Sequence, residues 1–272
     1  MYNGKLKFDL PYQRWNSAVK ERVSRRKYHP KAIGDEDLKS LEELEKDLEK
    51  EFPLARVLMI KSSFDEVSKK IIGSYGLITG ASSYAIIIGK TSKDEYKGNI
   101  QAGIVGEGLV LEATSLGLNT CWMGGFFDRK EVSSEVEIED DEEILAITPL
   151  GKAKDSPTIT ERLVKLASGS RKRKPLSELC SKDFSNKAQD WMMTAVELAR
   201  LAPSAMNRQP WRFEVEGEKL ILTSAIQTKN HGVYPYLDCG VALLHLLIGA
   251  GVEGVDVKIE YGEAPVVATL RP

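Results

Sequence analysis

The sequence predicts an α+β fold in which helices flank a mixed or antiparallel sheet. Helical segments with an apolar face alternate with short apolar segments bounded by glycine or proline, as strands usually are. The order of apolar helix, glycine and short strand also occurs twice, at 99–123 and 236–260. When the sequence is aligned with itself at an offset of 137 residues, Gly103 matches Gly240 and Gly117 matches Gly254. This pattern indicates an internal duplication, although two unrelated buried helices ending in glycine would also produce it.

Composition excludes several classes of protein. The chain has 272 residues, enough for one or two domains, and its 42% of hydrophobic residues favours a folded chain. Its 38 lysines and arginines against 40 acidic residues argue against a nucleic-acid-binding protein. Three widely spaced cysteines indicate a reducing compartment. No apolar segment of signal-peptide length begins the chain, and the most apolar segment, 241–252, is shorter than the ~20 residues that span a bilayer. We therefore expect a cytoplasmic protein without a membrane partner.

The first part of the chain is expected to begin with helices. Pro11 near a first turn predicts a helix from about Asp9 to about Ser24. Asp35 can cap a second helix, which carries one leucine stripe and ends before Pro53. Gly117 ends a long helix over 95–116. Strands are predicted at 55–60, 85–88 and 144–148, and a short helix opening at Ser156-Pro157.

The second part repeats much of this order. One helix is predicted over 186–201 and another over 238–253, and the second is followed by Gly254. Strands are predicted at 212–216, 220–223 and 255–259.

A polar loop between a helix and a strand carries the sharpest motif, Ala202-Pro203-Ser204-Ala205-Met206-Asn207-Arg208-Gln209-Pro210-Trp211. Its two prolines restrict the backbone. Ser204, Asn207 and Gln209 offer donors and acceptors that suit a polar heterocycle. A helix stop followed by an Asx-type turn would leave the same residues, so the motif alone does not decide between binding and structure.

Basic residues are concentrated in two other segments. Arg22, Ser24 and Arg26 alternate at the end of a helix and can converge on one anion, because guanidinium groups bind phosphate in a bidentate manner. The run Arg171-Lys172-Arg173-Lys174 offers a second clamp of the same kind. A solvated helix end and an exposed basic run are the alternative interpretations.

Together these motifs resemble the nitroreductase family of FMN-dependent oxidoreductases, and in particular a small branch of it. The matching segments are Arg22-x-Ser24-x-Arg26-x-Tyr28, 108–126 (GLVLEATSLGLNTCWMGGF), 144–151 (ILAITPLG) with 171–176 (RKRKPL), and 202–211 (APSAMNRQPW). The last of these normally lies early in the chain, directly after the Arg-x-Ser-x-Arg motif. Its displacement to residue 202 is the most informative feature of the sequence.

The displaced motif implies a fused pseudo-dimer. Family members are homodimers that bind flavin at the subunit interface, where one subunit supplies Arg-x-Ser-x-Arg and the basic run and its partner supplies the Pro-Ser-x-x-Asn motif. Here residues 1–180 carry the first set and residues 181–272 carry the second. We expect one compact unit with an internal pseudo-twofold axis, one intact flavin site and a dead mirror site. Such a chain would work as a monomer, and further dimerisation stays open.

The resemblance assigns FMN-binding residues from both halves. Arg22, Ser24 and Arg26 would bind the phosphate and ribityl chain, and Arg171 and Arg173 would close over the phosphate. The loop of the second half would line the ring and ribityl chain with Pro203, Ser204, Ala205, Asn207 and Gln209.

Gly124 and Gly125 would place a backbone N–H near flavin N5 and O4, which favours the reduced flavin. Many family members have glutamate immediately before that glycine, whereas this chain has Gly124, so the usual substrate preferences do not carry over.

The implied function is that of an FMN-dependent oxidoreductase. It would take electrons from NADH or NADPH and pass them to a nitroaromatic, a quinone or a similar flat acceptor, in a ping-pong reaction through flavin N5. No side chain need act as a nucleophile, and no metal is expected. Another FMN reaction of the family, such as dehalogenation or flavin cleavage, is one alternative. A flavin-binding relic without turnover is the other.

Two pairs of residues with chemical potential are expected to be structural. Cys239 and His245 lie six residues apart on one helix, which is not a metal-ligand spacing, so we expect both to pack in the core. Trp122 and Trp211 are expected to be core anchors.

Overall fold

The computed structural model describes residues 4–64, 78–125, 127, 129–134, 136–154, 172–228 and 234–272. The helix predicted at Ser156-Pro157 and the predicted ligand Arg171 lie outside these residues. Within them the chain has an α+β fold, with helices packed on two antiparallel sheets.

The first sheet is built from the first part of the chain. Its strands are β2 (Ala55–Ile60), β3 (Ser83–Gly89), β4 (Asn119–Thr120) and β5 (Glu143–Gly151). They lie in the order β2-β3-β5-β4, and every pairing is antiparallel. All seven residues of β3 are buried, which agrees with the uninterrupted apolar run that predicted this strand.

The second sheet contains five strands, β1 (Gly4–Lys5), β6 (Trp211–Glu216), β7 (Lys219–Ser224), β8 (Lys258–Tyr261) and β9 (Val266–Arg271). Their order is β1-β8-β9-β7-β6, again with antiparallel pairing only. Strand β1 comes from the beginning of the chain and pairs with β8, so the first part of the chain completes the sheet of the second part.

Eight α-helices lie in the described residues: α1 (Tyr12–Glu21), α2 (Asp35–Glu51), α3 (Thr91–Ser115), α4 (Arg129–Ser133), α5 (Leu176–Leu179), α6 (Phe184–Lys187), α7 (Asp190–Arg200) and α8 (Pro235–Val252). Helix α8, with a mean hydropathy of 1.5 over 18 residues, is long and apolar enough to cross a membrane. However, 83% of it is buried inside the protein, as in the core helix of a soluble fold.

Helices α3 and α8 cross at the centre of the core with a glycine on each side. A Cβ atom on Gly103 would lie 2.1 Å from the carbonyl oxygen of Leu237, and one on Gly240 would lie 2.0 Å from that of Ile100. The shift of 137 residues places Ile100 on Leu237 as well as Gly103 on Gly240. The contact is therefore reciprocal, as contacts across a twofold axis are.

The two sheets also have the same strand order and the same connections. Strands β6-β7-β9-β8 repeat the spatial order of β2-β3-β5-β4, and in each set the long helix connects the hairpin to the remaining two strands. The pairing register shifts at one place in each sheet, between Ile87 and Ile88 and between Leu222 and Thr223. Both features follow naturally from a duplicated unit.

Both long helices also end in the same way. Gly117 and Gly254 adopt φ values of +73° and +71°, the left-handed conformation that glycine provides at a helix end. The next residue then donates its N–H to a carbonyl of the last turn, at 2.8 Å from Leu118 and 2.9 Å from Val255.

Three predicted boundaries were wrong. The helix predicted over 186–201 is two helices, α6 and α7, because Ala188 and Gln189 between them are extended and the Gln189 carbonyl starts α7 by accepting from Met192 at 3.0 Å. The strand predicted at 255–259 begins only at Lys258, since the N–H of Val255 closes the preceding helix.

The third error concerns α1, which ends at Glu21 rather than near Ser24. Arg22 turns out of the helix with φ −54° and ψ 127°. The residues that follow are therefore free to run as an extended segment towards the first sheet.

The crossing of α3 and α8 gives a test of the core. In a helix alanine is normally more stable than glycine, so Gly240→Ala isolates the cost of separating the two helices. We expect a loss of about 3 kcal/mol or more in the free energy of unfolding, measured with urea. Gly34→Ala is the control, because its Cβ would meet only a side-chain oxygen at 3.7 Å. Equal stability of the two variants would contradict the close crossing.

Candidate cofactor site

The segment after α1 carries the first predicted motif and runs between β4 and residue 79. The N–H of Arg25 donates to the carbonyl of Thr120 at 3.0 Å, and the N–H of Thr79 donates to the carbonyl of Arg26 at 3.0 Å. These backbone contacts hold the segment in place, with Ser24 and Arg26 both half-buried on it.

Arg22 is a largely buried cation of that segment. Its side chain is 9% exposed, and its Nε lies 3.9 Å from Oε1 of Glu107, which is fully buried on α3. Within the described part of the chain this Nε makes no hydrogen bond. Arg22 therefore sits near a carboxylate without the short contact of an ordinary ion pair.

The second motif forms a strained loop between α7 and β6. Met206, Asn207 and Gln209 have φ values of 53°, 55° and 50°, which non-glycine residues seldom adopt. Two hydrogen bonds help to hold this geometry: the N–H of Ala205 donates to Asp238 Oδ1 at 3.0 Å, and the N–H of Gln209 donates to Ser204 Oγ at 2.9 Å. Strain of this kind is typical of binding loops.

The basic run lies directly against this loop. Arg173 donates through Nη1 to Asn207 Oδ1 and through Nη2 to the carbonyl of Leu201, both at 3.0 Å. Asn207 Nδ2 donates in turn to the carbonyl of Lys172 at 2.8 Å. The structure thus brings together the basic run and the polar loop, the two motifs on either side of residue 180.

Gln209 has a structural role in this contact. Its side chain is almost fully buried, its Oε1 accepts from the N–H of Lys174 at 2.8 Å, and its Nε2 donates to the carbonyl of Lys172 at 3.3 Å. Both ends of the amide are therefore engaged within the protein.

Positive charge accumulates where the segments meet. Burial, followed by the charges of Arg22 and Arg200, lowers the pKa of Arg173 to about 10, while Glu107 acts in the opposite direction. The Arg173 guanidinium is therefore partly desolvated and lies in a region of positive potential. Such a region suits a phosphate group, which would compensate the positive charge.

Gly124 and Gly125 directly follow a short backbone pairing with β5. Met123 pairs with Ile147 through two backbone hydrogen bonds, and the carbonyl of Gly124 then accepts a long contact from Arg129 at 3.5 Å. Arg129 also reaches the hydroxyl of Tyr234, just before α8, at 3.3 Å. Arg129 thus links Gly124 to Tyr234 of the second half.

The sequence analysis did not single out Glu107, and it expected His245 to pack in the core, where the structure places it. Both side chains are fully buried, and His245 Nε2 lies 3.0 Å from Glu107 Oε1. Trp122 Nε1 donates to the other carboxylate oxygen at 2.8 Å, which links Glu107 to the segment that precedes Gly124. The available signal was one ionisable residue within an otherwise apolar stretch of each helix, 102–111 on α3 and 240–250 on α8.

The structure brings some of the predicted ligands together. Arg173 donates to Asn207, while Arg22 lies beside Glu107, which accepts from Trp122, two residues before Gly124. Other predicted ligands lie on the segment after α1 and on the strained loop: Ser24, Arg26, Pro203, Ser204, Ala205. The roles of all these residues stay predictions. Trp211 is fully buried, as expected of a core anchor, and the described residues contain no group of three or more potential metal ligands.

Comparisons with known proteins identify the fold. A family model described as "Putative TM nitroreductase" matches residues 16–250. The structure of a "putative nitroreductase" from Thermotoga maritima MSB8 is 20% identical and superimposes with a TM-score of 0.63, over 94% of this chain and 93% of that chain. The search of curated proteins found no match.

Two further solved structures have lower TM-scores. A nitroreductase family protein from Clostridium difficile 630 is 23% identical, with a TM-score of 0.45 over 61% of this chain and 96% of that chain. An FMN-dependent nitroreductase from Clostridium difficile R20291 is 17% identical, with a TM-score of 0.44 over 64% of this chain and 97% of that chain.

The buried Asp238 makes the loop sensitive to pH. Burial raises the pKa of this carboxyl from 3.8 to about 7, against the opposing effects of the Ala205 N–H and Arg208. The folded protein then holds a proton that the unfolded chain releases, so the stability falls as pH rises through this window. Asp238→Asn can still accept from Ala205 but does not titrate. Its free energy of unfolding, relative to that of wild type, should therefore rise by about 2 kcal/mol or more as the pH increases from 5 to 8.

Urea unfolding at several pH values measures this difference. The exposed Asp183 is the control, because Lys187 and Ser181 lower the pKa of its carboxyl and Asp183→Asn should show no such gain. Parallel stability profiles for wild type and Asp238→Asn would refute the raised pKa.

Proposed function

The chain belongs to the "Putative TM nitroreductase" family of oxidoreductases, and from that membership we propose that it is an FMN-dependent enzyme. It takes electrons from NADH or NADPH and passes them to a nitroaromatic, a quinone or a similar flat acceptor. One observation carries the proposal: the half-buried Arg173 of the basic run donates to Asn207 of the strained loop at 3.0 Å, at the junction of two halves that each hold one part of the family's flavin motifs. The charge of Arg22 reaches the same guanidinium and lowers its pKa.

The phosphate of FMN is assigned to the arginines. Arg22 and Arg173 would hold it, since each guanidinium offers a planar set of donors and their mutual repulsion is relieved by a dianion. Ser24 and Arg26, on the same segment as Arg22, would bind the phosphate and ribityl chain, and Arg171 would add a further charge beside Arg173 in the sequence.

The strained loop is assigned to the ring and ribityl chain. Pro203, Ser204, Ala205 and Asn207 offer it a surface whose shape is fixed in advance, because Arg173 and Lys172 already hold the Asn207 amide. Gln209 lies behind this surface and supports it. Preorganisation of this kind lowers the entropic cost of binding.

Gly124 and Gly125 are assigned to the reacting edge of the ring. Their lack of side chains allows close approach to a backbone N–H, and the Arg129 contact holds the peptide in place. When bound, FMN supplies the two-electron chemistry, while the chain supplies position and electrostatics. No side chain of the cluster is needed as a nucleophile.

A pseudo-twofold arrangement with one working site is part of the proposal. It is supported by the reciprocal contact at Gly103 and Gly240 and by the repeated strand order. The mirror site lacks its loop, because only residues 52–54 connect α2 to β2, whereas residues 201–210 connect α7 to β6. We propose that one chain is sufficient for one site. The three free thiols suit the cytoplasmic location inferred from the sequence.

Turnover tests the proposal directly. Purified protein supplied with FMN should oxidise NADH or NADPH in the presence of a nitroaromatic compound or a quinone, and the acceptor should be reduced in step. Product analysis with halogenated aromatics separates this activity from dehalogenation, and recovery of intact FMN separates it from flavin cleavage. A protein that binds FMN but oxidises neither nicotinamide would be a flavin-binding relic.

A further inference from the structure

A buried acid–base pair lies behind Arg22, where α3 and α8 diverge from their crossing. Glu107 is four residues beyond Gly103 on α3, and His245 is five residues beyond Gly240 on α8. Both side chains are 0% exposed. The pair therefore connects the two long helices on the side of the crossing that faces the predicted phosphate site.

Hydrogen bonding leaves few choices for the protons of this pair. His245 Nδ1 lies 3.0 Å from the carbonyl oxygen of Leu198, which can only accept, so Nδ1 carries a hydrogen. Nε2 lies 3.0 Å from Glu107 Oε1, and one proton must lie between them. Whether that proton is on the ring or on the carboxyl group, the pair has no net charge.

The neutrality of the pair matters for Arg22. Glu107 Oε1 approaches Arg22 Nε at 3.9 Å, but His245 contacts the same oxygen at 3.0 Å and Trp122 occupies the other oxygen at 2.8 Å. Both carboxylate oxygens thus already accept a hydrogen bond, while Arg22 Nε lies beyond hydrogen-bond distance. Among the residues that the structure describes, no ion pair shorter than 3.9 Å neutralises the charge of Arg22.

We propose that Glu107 and His245 are positioning residues for phosphate recognition. Glu107 keeps the Arg22 guanidinium in place at a distance, and His245 neutralises Glu107 so that Arg22 stays available to an anion. This inference rests on the proposed function, because it assumes that the anion is the phosphate of FMN. A purely structural ion pair across the helix crossing is the competing explanation.

The experiment compares FMN with riboflavin, which has the same ring but no phosphate. Affinities for both are measured by fluorescence titration for wild type, His245→Gln and the double variant His245→Gln/Glu107→Gln. Glutamine at 245 can still donate a hydrogen bond to Glu107 but carries no charge. The Glu107 carboxylate should then pair with Arg22, and the preference for FMN over riboflavin should fall about tenfold.

The double variant distinguishes a positioning role from a structural one. Removing both ionisable groups again leaves a neutral pair, so the preference for FMN should return to within about threefold of wild type, since an uncharged amide pair does not compete for Arg22. A structural role predicts instead that the double variant is no better than the single one, and that FMN and riboflavin are affected alike.

Helix α3 also offers a matched control. Glu112 is buried on the same helix, accepts from Trp15 Nε1 at 2.7 Å and pairs with Arg14 at 2.9 Å, so it repeats the tryptophan–glutamate–arginine arrangement around another arginine. Glu112→Gln should leave the preference for FMN unchanged. Should His245→Gln fail to fold, His245→Asn, which keeps a donor for Leu198, takes its place.

An unchanged FMN preference in the folded single variant would overturn the inference, as would a double variant without recovery. Failure of the proposed function is recognised separately. In that case wild type itself would bind FMN no better than riboflavin, or would bind neither.

Discussion

The close crossing of α3 and α8 at Gly103 and Gly240 is the contact on which the rest of the structure depends, because each helix carries one sheet and one part of the candidate site. A side chain at either glycine would lie about 2 Å from a carbonyl oxygen of the other helix, so the two halves are tied by their backbones. The same crossing brings Glu107 and His245 within 3.0 Å of one another. The backbone contact between the two helices and the Glu107–His245 interaction therefore depend on the same crossing.

The segments of the candidate site are arranged around this crossing. The end of α1 at Glu21 frees the arginine segment, which β4 and Thr79 then hold beside Glu107. The basic run contacts the strained loop before β6 through Arg173 and Asn207, and the charge of Arg22 lowers the pKa of Arg173. Under the proposed function, these residues would supply position and electrostatics while a bound flavin would supply the chemistry.

Much of this could be predicted from the sequence, and the failures have physical reasons. Periodicity located the long helices, and Gly117 and Gly254 marked their ends because only a left-handed residue continues the chain there. The break at Ala188 and Gln189 was missed because it depends on capping by a backbone carbonyl. His245 was taken for a packing residue, since its partner Glu107 is distant in the chain and only the crossing brings the two together. The motifs predicted which residues belong to the candidate site, whereas the hydrogen bonds that hold Gln209 against the basic run could be seen only in the structure.

Flavin stoichiometry tests the central claim, a single composite site per chain, most directly. Purified protein saturated with FMN is freed of excess ligand, its absorbance spectrum is recorded between about 300 and 600 nm, where flavins absorb, and the flavin released on denaturation is compared with the amount of protein. We predict one FMN per chain, with binding weakened in Arg173→Ala but not in Arg14→Ala, which removes an arginine from the same protein away from the cluster. Two FMN per chain would contradict the dead mirror site. A protein that takes up no FMN would contradict the composite site itself.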